Sequence, residues 1–191
     1  MPKKAKGIII GLTSLPGGGK DYVADILTDR YGFSKVSPGD IIRARMKSEG
    51  LSKITREGQQ DIQDRWRREH GPDYIMELCY LKMKKSGRKR FVVPGIRFPR
   101  DIKFYKKLGD FDFYNVYIWA PRRVRYKRTE ERKRMDMPAS FAEFVSHDRR
   151  EEKIFNIKLT AKMSDYRLTN HINNDRSLSR KIRGIVEEVT G

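Results

Sequence analysis

Short apolar runs alternate with stretches of helical periodicity along the whole chain. Gly7 to Thr13 (GIIIGLT) reads as a buried strand, and the stretch from Tyr22 to Leu27 as the start of an amphipathic helix burying Tyr22, Val23, Ile26 and Leu27. Phe33 to Val36 is a short strand candidate, and Pro38-Gly39 precedes a helix from Asp40. From Thr55 to Lys85 the pattern gives two helices separated by Gly71-Pro72, with Asp73 in the first turn of the second. Phe91-Val92-Val93 is a buried strand ended by Pro94-Gly95, and Pro99 starts a helix through Leu108. Phe113 to Ala120 (FYNVYIWA) is the clearest strand, and Pro121 opens the next helix where no N–H is needed. Ser140 and Glu143 have capping-box spacing for a helix to about Glu152. Tyr166 to Thr169 is a last short strand, and Ser177 to Val189 a closing helix.

Strands alternating with helices predict an α/β fold: a five-stranded parallel sheet with helices on both faces. Ligands of such sheets collect at the C-terminal strand ends. There the segment after Thr13, the turn Pro94-Gly95-Ile96-Arg97 and the join Ala120-Pro121 should converge.

That first segment is Ser14-Leu15-Pro16-Gly17-Gly18-Gly19-Lys20-Asp21. A glycine run between a strand and a helix lets successive N–H groups turn around an anion. The helix start adds its positive end, and a lysine there reaches outer phosphates. A Gly-rich hairpin with a solvent lysine is the plainer alternative, and the flanking strand and helix weigh against it. The usual pattern is G-x-x-x-x-G-K-[ST]; here Ser14 replaces the first glycine and Asp21 the final hydroxyl. A carboxylate beside bare phosphates is poorly placed, since two like charges about 4 Å apart repel by roughly 4 kcal/mol at an effective dielectric of 20. Asp21 is therefore expected on the magnesium side of the site.

Composition narrows the picture. At 191 residues, without repeats or linkers, the chain is read as one domain, 1–191. One cysteine, Cys79, excludes a disulfide framework and fits a reducing compartment. His70, His147 and His171 lack metal-ligand spacing, so no structural zinc is expected. Ile8 to Leu12 is too short for a membrane span, and the expectation is a soluble cytoplasmic protein. Net charge is +18. Lysine and arginine concentrate in Lys82 to Arg90 and in Arg122 to Arg134. Such charge admits a nucleic-acid partner, a polyanionic small substrate or a solvated surface. No nucleic-acid module or ordered aromatic–basic surface is present, so the nucleic acid is not favoured. Trp66 and Trp119 are read as core or half-core aromatics rather than base-stacking platforms.

Beyond the loop, several segments resemble the nucleoside-monophosphate kinases, and more closely the archaeal adenylate-kinase-related and dephospho-CoA-kinase-like P-loop family, over nearly the whole chain. Ser37-Pro38-Gly39-Asp40-Ile41-Ile42-Arg43 is similar to S-T-G-D-x-[LI]-R, and Gly95-Ile96-Arg97 to the D-G-x-R turn. Pro121, Arg128 and Arg132 match P-x6-R-x3-R. His147 to Glu151 resembles R-D-R-R-E, and Ser164 to Asn170 resembles A-D-Y-x-I-x-N. Arg65 to Asp73 is similar to the R-x-x-x-G-P-D join.

The resemblance implies a P-loop nucleotide kinase fold, with an acceptor-binding helical insert at about 40–85 and a short lid at about 133–150. It implies ATP or GTP as donor, with magnesium. Pro16, Gly17, Gly18, Gly19, Lys20, Asp21, Tyr22, Arg128 and Asn170 would meet the nucleotide. Arg43 and Arg97 would clamp the acceptor's phosphate, with Arg100 as a further candidate and Asp40 beside them. Lys20, Arg132, Arg149 and Arg150 would act on the reacting phosphates. Each arginine has a plainer reading as a surface ion pair, Arg128 and Arg132 with Glu130 and Glu131 nearby.

One departure stands out. The family's third strand ends V-V-D-G, and here it reads Val92-Val93-Pro94-Gly95, with proline where the metal-side acid belongs. The expected activity is γ-phosphoryl transfer to a nucleoside monophosphate or similar phosphate-bearing acceptor. Dephospho-CoA kinase, with Asp40 as base toward a hydroxyl, and a nucleotide-binding adaptor on nucleic acid are the alternatives.

Overall fold

The computed structural model describes residues 6–50, 56–132, 138–171 and 176–191. Five strands, β1 (Gly7–Thr13), β2 (Ser34–Lys35), β3 (Arg90–Pro94), β4 (Phe111–Trp119) and β5 (Tyr166–Thr169), form one sheet in the order β2-β3-β1-β4-β5, all parallel. Between them run α1 (Lys20–Tyr31), α2 (Pro38–Ser48), α3 (Arg56–His70), α4 (Tyr74–Ser86), α5 (Pro99–Lys106), α6 (Arg122–Glu131), α7 (Phe141–Ile154), α8 (Ile157–Lys162) and α9 (Arg176–Thr190). The predicted α/β class and the five parallel strands are what the molecule has.

Strand periodicity divides the interior into two cores. On one face Ile9, Phe91, Val93, Phe111 and Phe113 pack with Ile42, Met46, Trp66, Met76 and Met83 of α2, α3 and α4. On the other, Ile10, Leu12, Val92, Val116, Ile118 and Leu168 pack with Val23 and Leu27 of α1 and with Leu178, Ile182 and Val186 of α9. Neighbouring residues of one strand point to opposite faces, so the unbroken apolar runs of β1 and β3 require helices on both sides.

Several expectations need correcting. Tyr22 is not on the buried face of α1; it is 39% exposed. Trp66 lies in the core, but Trp119, at the end of β4, is 40% exposed. The helix after Pro99 stops at Lys106, and α8, which the pattern did not signal, follows Asn156 in a left-handed conformation (φ 49). Of the expected lid, 133–137 lies outside the described residues, as does Thr55.

Pro94 sits inside the register of β3, opposite Leu12 of β1. It cannot donate, and the ladder continues one step later: the N–H groups of Gly95 and Ile96 both bond the Leu12 carbonyl, at 2.9 and 3.2 Å. Gly95 has φ 111. The chain therefore turns sharply off the sheet at that point and presents Arg97 next to the first loop.

Candidate active site

The loop from Ser14 to Gly19 leaves β1 at the sheet's C-terminal edge. Thr13, fully buried, is fixed there by Asn115 of β4, whose amide donates to the Thr13 hydroxyl at 3.0 Å and to Ser164 at 2.7 Å. The Gly18 N–H bonds the Leu15 carbonyl at 3.0 Å and closes the turn. Gly17 (φ 77) and Gly19 (φ 97) take left-handed conformations. A Cβ on Gly17 would press on the backbone of Arg125, and one on Gly19 on the amide of Asn170.

Three consecutive loop carbonyls are held from behind. Arg125 of α6 donates to the Pro16 carbonyl at 3.2 Å. Arg128 donates to the Gly17 carbonyl at 3.4 Å, and Asn170, just past β5, to the Gly18 carbonyl at 3.0 Å. Arg128 is in turn bonded to Asn170, at its backbone carbonyl (3.1 Å) and its side-chain oxygen (3.2 Å). Carbonyls pinned outward turn the N–H groups of the loop toward its hollow, which is the geometry a phosphate requires. Gly19 caps α1 with no side-chain bond to its first N–H groups. Arg128 and Asn170, which the resemblance would set against the nucleotide, here spend their side chains on the loop backbone and on each other.

Lys20 opens α1. Its ammonium bonds Asp21 at 2.9 Å, with both side chains about one-third exposed. Burial lowers the Lys20 pKa, Asp21 works against that, and Arg97 and Arg132 lower it further by repulsion. Burial raises the Asp21 pKa, yet attraction to Lys20, with Lys35 and Arg132 behind it, brings it below the ordinary carboxylate value. Lys20, Asp21, Arg97 and Arg132 are therefore one electrostatic unit built from three separate segments.

The other predicted residues take definite places. Arg43 is folded back onto Asp40 at 2.5 Å through one guanidinium nitrogen, so Asp40 competes with an anion for its charge. Arg97 lies 4.8 Å over the Phe155 ring. Its backbone N–H and that of Phe98 both donate to the Asp101 carboxylate, at 3.0 Å each, and its carbonyl accepts from Thr160 at 2.9 Å. Arg100 lies 4.2 Å over the Phe98 ring. Arg149 and Arg150 are exposed on α7; among the described residues neither has an ion-pair or hydrogen-bond partner.

Arg125 and Asp148 were not singled out from the sequence and prove central. The Arg125 guanidinium bonds both oxygens of Asp148, at 2.5 and 2.6 Å, and Arg122 adds a third bond at 3.0 Å. Nothing in a basic run such as RRVRYKR distinguishes the two arginines that turn inward, Arg125 and Arg128. Beside the ion pair, at the end of β4, a cavity of about 280 Å³ is lined by Leu15, Tyr117, Trp119, Arg122, Arg125 and Glu152, among others. Among the described residues no group of three or more His, Cys, Asp or Glu could hold a metal. Asp21, at the loop's usual hydroxyl position, fits a magnesium held largely by phosphate oxygens and water.

A family model described as an AAA domain matches residues 13–140. A UPF0200 protein of Pyrococcus abyssi is 32% identical over 185 residues, covering 95% of this chain and 97% of its own. One from Methanothermobacter thermautotrophicus is 31% identical over 167 residues, 85% and 81% of the two chains. Among solved structures, TT1252 from Thermus thermophilus is similar with a TM-score of 0.59 at 20% identity, over 98% of this chain and all of that one. Shikimate kinase from Acinetobacter baumannii in complex with shikimate gives 0.58 at 19%, over 95% and 93%. These structures share the fold. Loop, sheet order and relatives lead to one assignment: the chain belongs to the UPF0200 family, matches the AAA domain, and has the P-loop fold of the nucleoside-monophosphate-kinase-like superfamily.

Proposed function

We propose that the protein is a kinase that transfers the γ-phosphoryl group of ATP or GTP to a nucleoside monophosphate or a similar phosphate-bearing acceptor. The observation that carries this is the charge around Lys20. Arg97, from the turn after β3, and Arg132, from the end of α6, both weigh on the titration of the loop lysine, and one carboxylate, Asp21, stands among them. Three cations drawn together around one acid repel one another; a polyphosphate entering between them offsets that cost.

Phosphoryl transfer asks the protein chiefly for position and charge. In this reading the loop N–H groups and Lys20 hold the donor phosphates. Arg132 meets them from the α6 side, with Arg149 and Arg150 on α7 available to close over them. Arg43 and Arg97 orient the acceptor phosphate, whose oxygen attacks without needing a base. Planar guanidinium groups suit this because each donates two parallel bonds and stays charged. Magnesium, when bound with the nucleotide, supplies neutralisation between phosphates, and Asp21 is the residue that would hold it.

The test is nucleoside-diphosphate release from Mg-ATP and Mg-GTP over the common ribo- and deoxyribonucleoside monophosphates and dephospho-CoA, with Lys20→Ala as control. Turnover stimulated by one acceptor and lost in Lys20→Ala is expected. Nucleotide binding without turnover on any acceptor would overturn the proposal.

A further inference from the structure

A second group of arginines lies beyond the loop, where α3 meets the start of α5. Arg100 and Arg67 both stand over the Phe98 ring, at 4.2 and 5.3 Å. Phe98 packs edge-on against Phe155 at 5.2 Å, and Phe155 carries Arg97 at 4.8 Å. A continuous line of cation–ring contacts thus runs from Arg97 at the loop to Arg67 and Arg100.

Asp64 and Asp101 face the charges of this group, yet one of its donors is left without a partner. The Arg100 Nε is shielded from solvent and has no hydrogen-bond partner. A buried donor left unpaired is costly, and native proteins rarely keep one without a reason. Asp101, buried beside it, spends one oxygen on the backbone N–H groups of Arg97 and Phe98. Asp64 bonds Arg67 at 3.0 Å, but from the solvent side, where it is 52% exposed. Burial and then the neighbouring Arg100 hold Arg67 below its ordinary pKa. Cation–ring packing explains one arginine over Phe98. It gives no reason for two on the same ring, nor for a buried guanidinium N–H with nothing to donate to. A guanidinium lying on an aromatic face can offer its N–H edge to an oxyanion, as Arg100 does. Arg67 already donates to Asp64 at 3.0 Å and to the Gln63 side-chain oxygen at 3.4 Å, both of which an oxyanion would have to replace or share.

We infer that the acceptor carries two anionic groups, one received beside Arg97 and a second oxyanion seated between Arg67 and Arg100 over Phe98. This rests on the kinase reading and narrows it. A nucleoside monophosphate has one phosphate and would leave the second seat empty, whereas an acceptor with a remote phosphate or carboxylate fills both. The second seat then selects the substrate rather than reacting with it.

The experiment measures binding and needs no turnover. With the nucleotide site filled by a non-hydrolysable ATP analogue, the protein is titrated with α,ω-alkylene bisphosphonates of increasing length, alkyl monophosphonates of the same lengths, and ω-carboxyalkyl phosphonates. The bisphosphonate is expected to bind about tenfold or more tightly than its monophosphonate, with an optimum at one length. Arg100→Gln and Arg67→Gln should each remove most of that gap. If the carboxyalkyl compounds keep the gap the second group is a carboxylate, and if they lose it a phosphate. Equal binding of the mono- and bisphosphonates, or a gap that survives both substitutions, would overturn the inference. Failure of every acceptor to turn over would sink the kinase reading and leave this gap where it is, so the two failures are separable.

Discussion

Arg125 and Asp148 form a two-bonded ion pair that is nearly closed to solvent, with side chains 6% and 2% exposed. The same guanidinium holds the carbonyls of Ala120 and Pro16. One side chain therefore joins the end of β4, the phosphate loop and α7. Truncating one partner leaves the other charge buried and alone, which typically costs about 3–5 kcal/mol. Asp148→Ala should show a loss of that size in urea unfolding. Replacing both partners with apolar residues of similar volume should cost less than the two single changes together. A loss under about 1 kcal/mol in Asp148→Ala would show that the pair is solvated in solution.

Gly19 makes a second prediction. Its φ of 97 disfavours any side chain, and a Cβ would run into the Asn170 amide that holds Gly18. Gly19→Ala should weaken nucleotide binding by about tenfold or more, from backbone strain of about 1–3 kcal/mol. Adding Asn170→Ala removes the collision but also the brace on the Gly18 carbonyl, and leaves the strain, so it should not restore affinity. Titration with a fluorescent nucleotide measures both. Full restoration would place the whole effect in the collision.

The pH dependence follows from Asp21. Burial raises its pKa, Lys20 more than reverses this, and the carboxyl ends below its ordinary 3.8. A carboxyl that is more acidic folded than unfolded adds stability above the unfolded value and loses it as pH falls through the folded one. Asp21→Asn should therefore be less stable than the wild type at neutral pH, with the difference closing in strong acid. Acid unfolding followed by circular dichroism gives the comparison; a constant difference down to the lowest pH would contradict it.

Cys79 is fully buried in α4, and burial pushes its thiol up to about 12. Only the thiolate reacts with alkylating agents, so the folded protein should resist iodoacetamide at neutral pH and react on adding denaturant. Rapid labelling of the native protein would mean that α4 opens far below the global unfolding energy.

The sheet, its parallel sense and the loop could be read from the chain because each rests on local pattern. The apolar runs of β1, β3 and β4 and the glycines before Lys20 announce themselves within a few residues. What binds the loop in place could not be read. Arg125, Arg128 and Asn170 act on Pro16, Gly17 and Gly18 from more than a hundred residues away. Nothing in the helical periodicity of α6 separates its two buried arginines, Arg125 and Arg128, from the exposed bases around them. The exposure of Tyr22 was missed for a related reason. An aromatic residue in the first helical turn looks apolar by type, yet the core takes its neighbours Val23 and Ala24 and leaves Tyr22 on the outer side of the turn. Phe98 and Phe155 carried no signal at all, since the residue before α5 and the residue after α7 meet only in the folded chain.

The bond from Asn170 to the Gly18 carbonyl has a consequence for synthesis. The loop leaves a ribosome 152 residues ahead of the asparagine that supports it from the rear. β1 likewise waits for β3 and β4, both distant in sequence. A growing chain that has not yet placed residue 170 holds the glycines without the brace that turns their N–H groups inward. Nucleotide capture should thus wait until residue 170 is in place, and long-range closure of this kind makes folding slow relative to helical proteins of similar size.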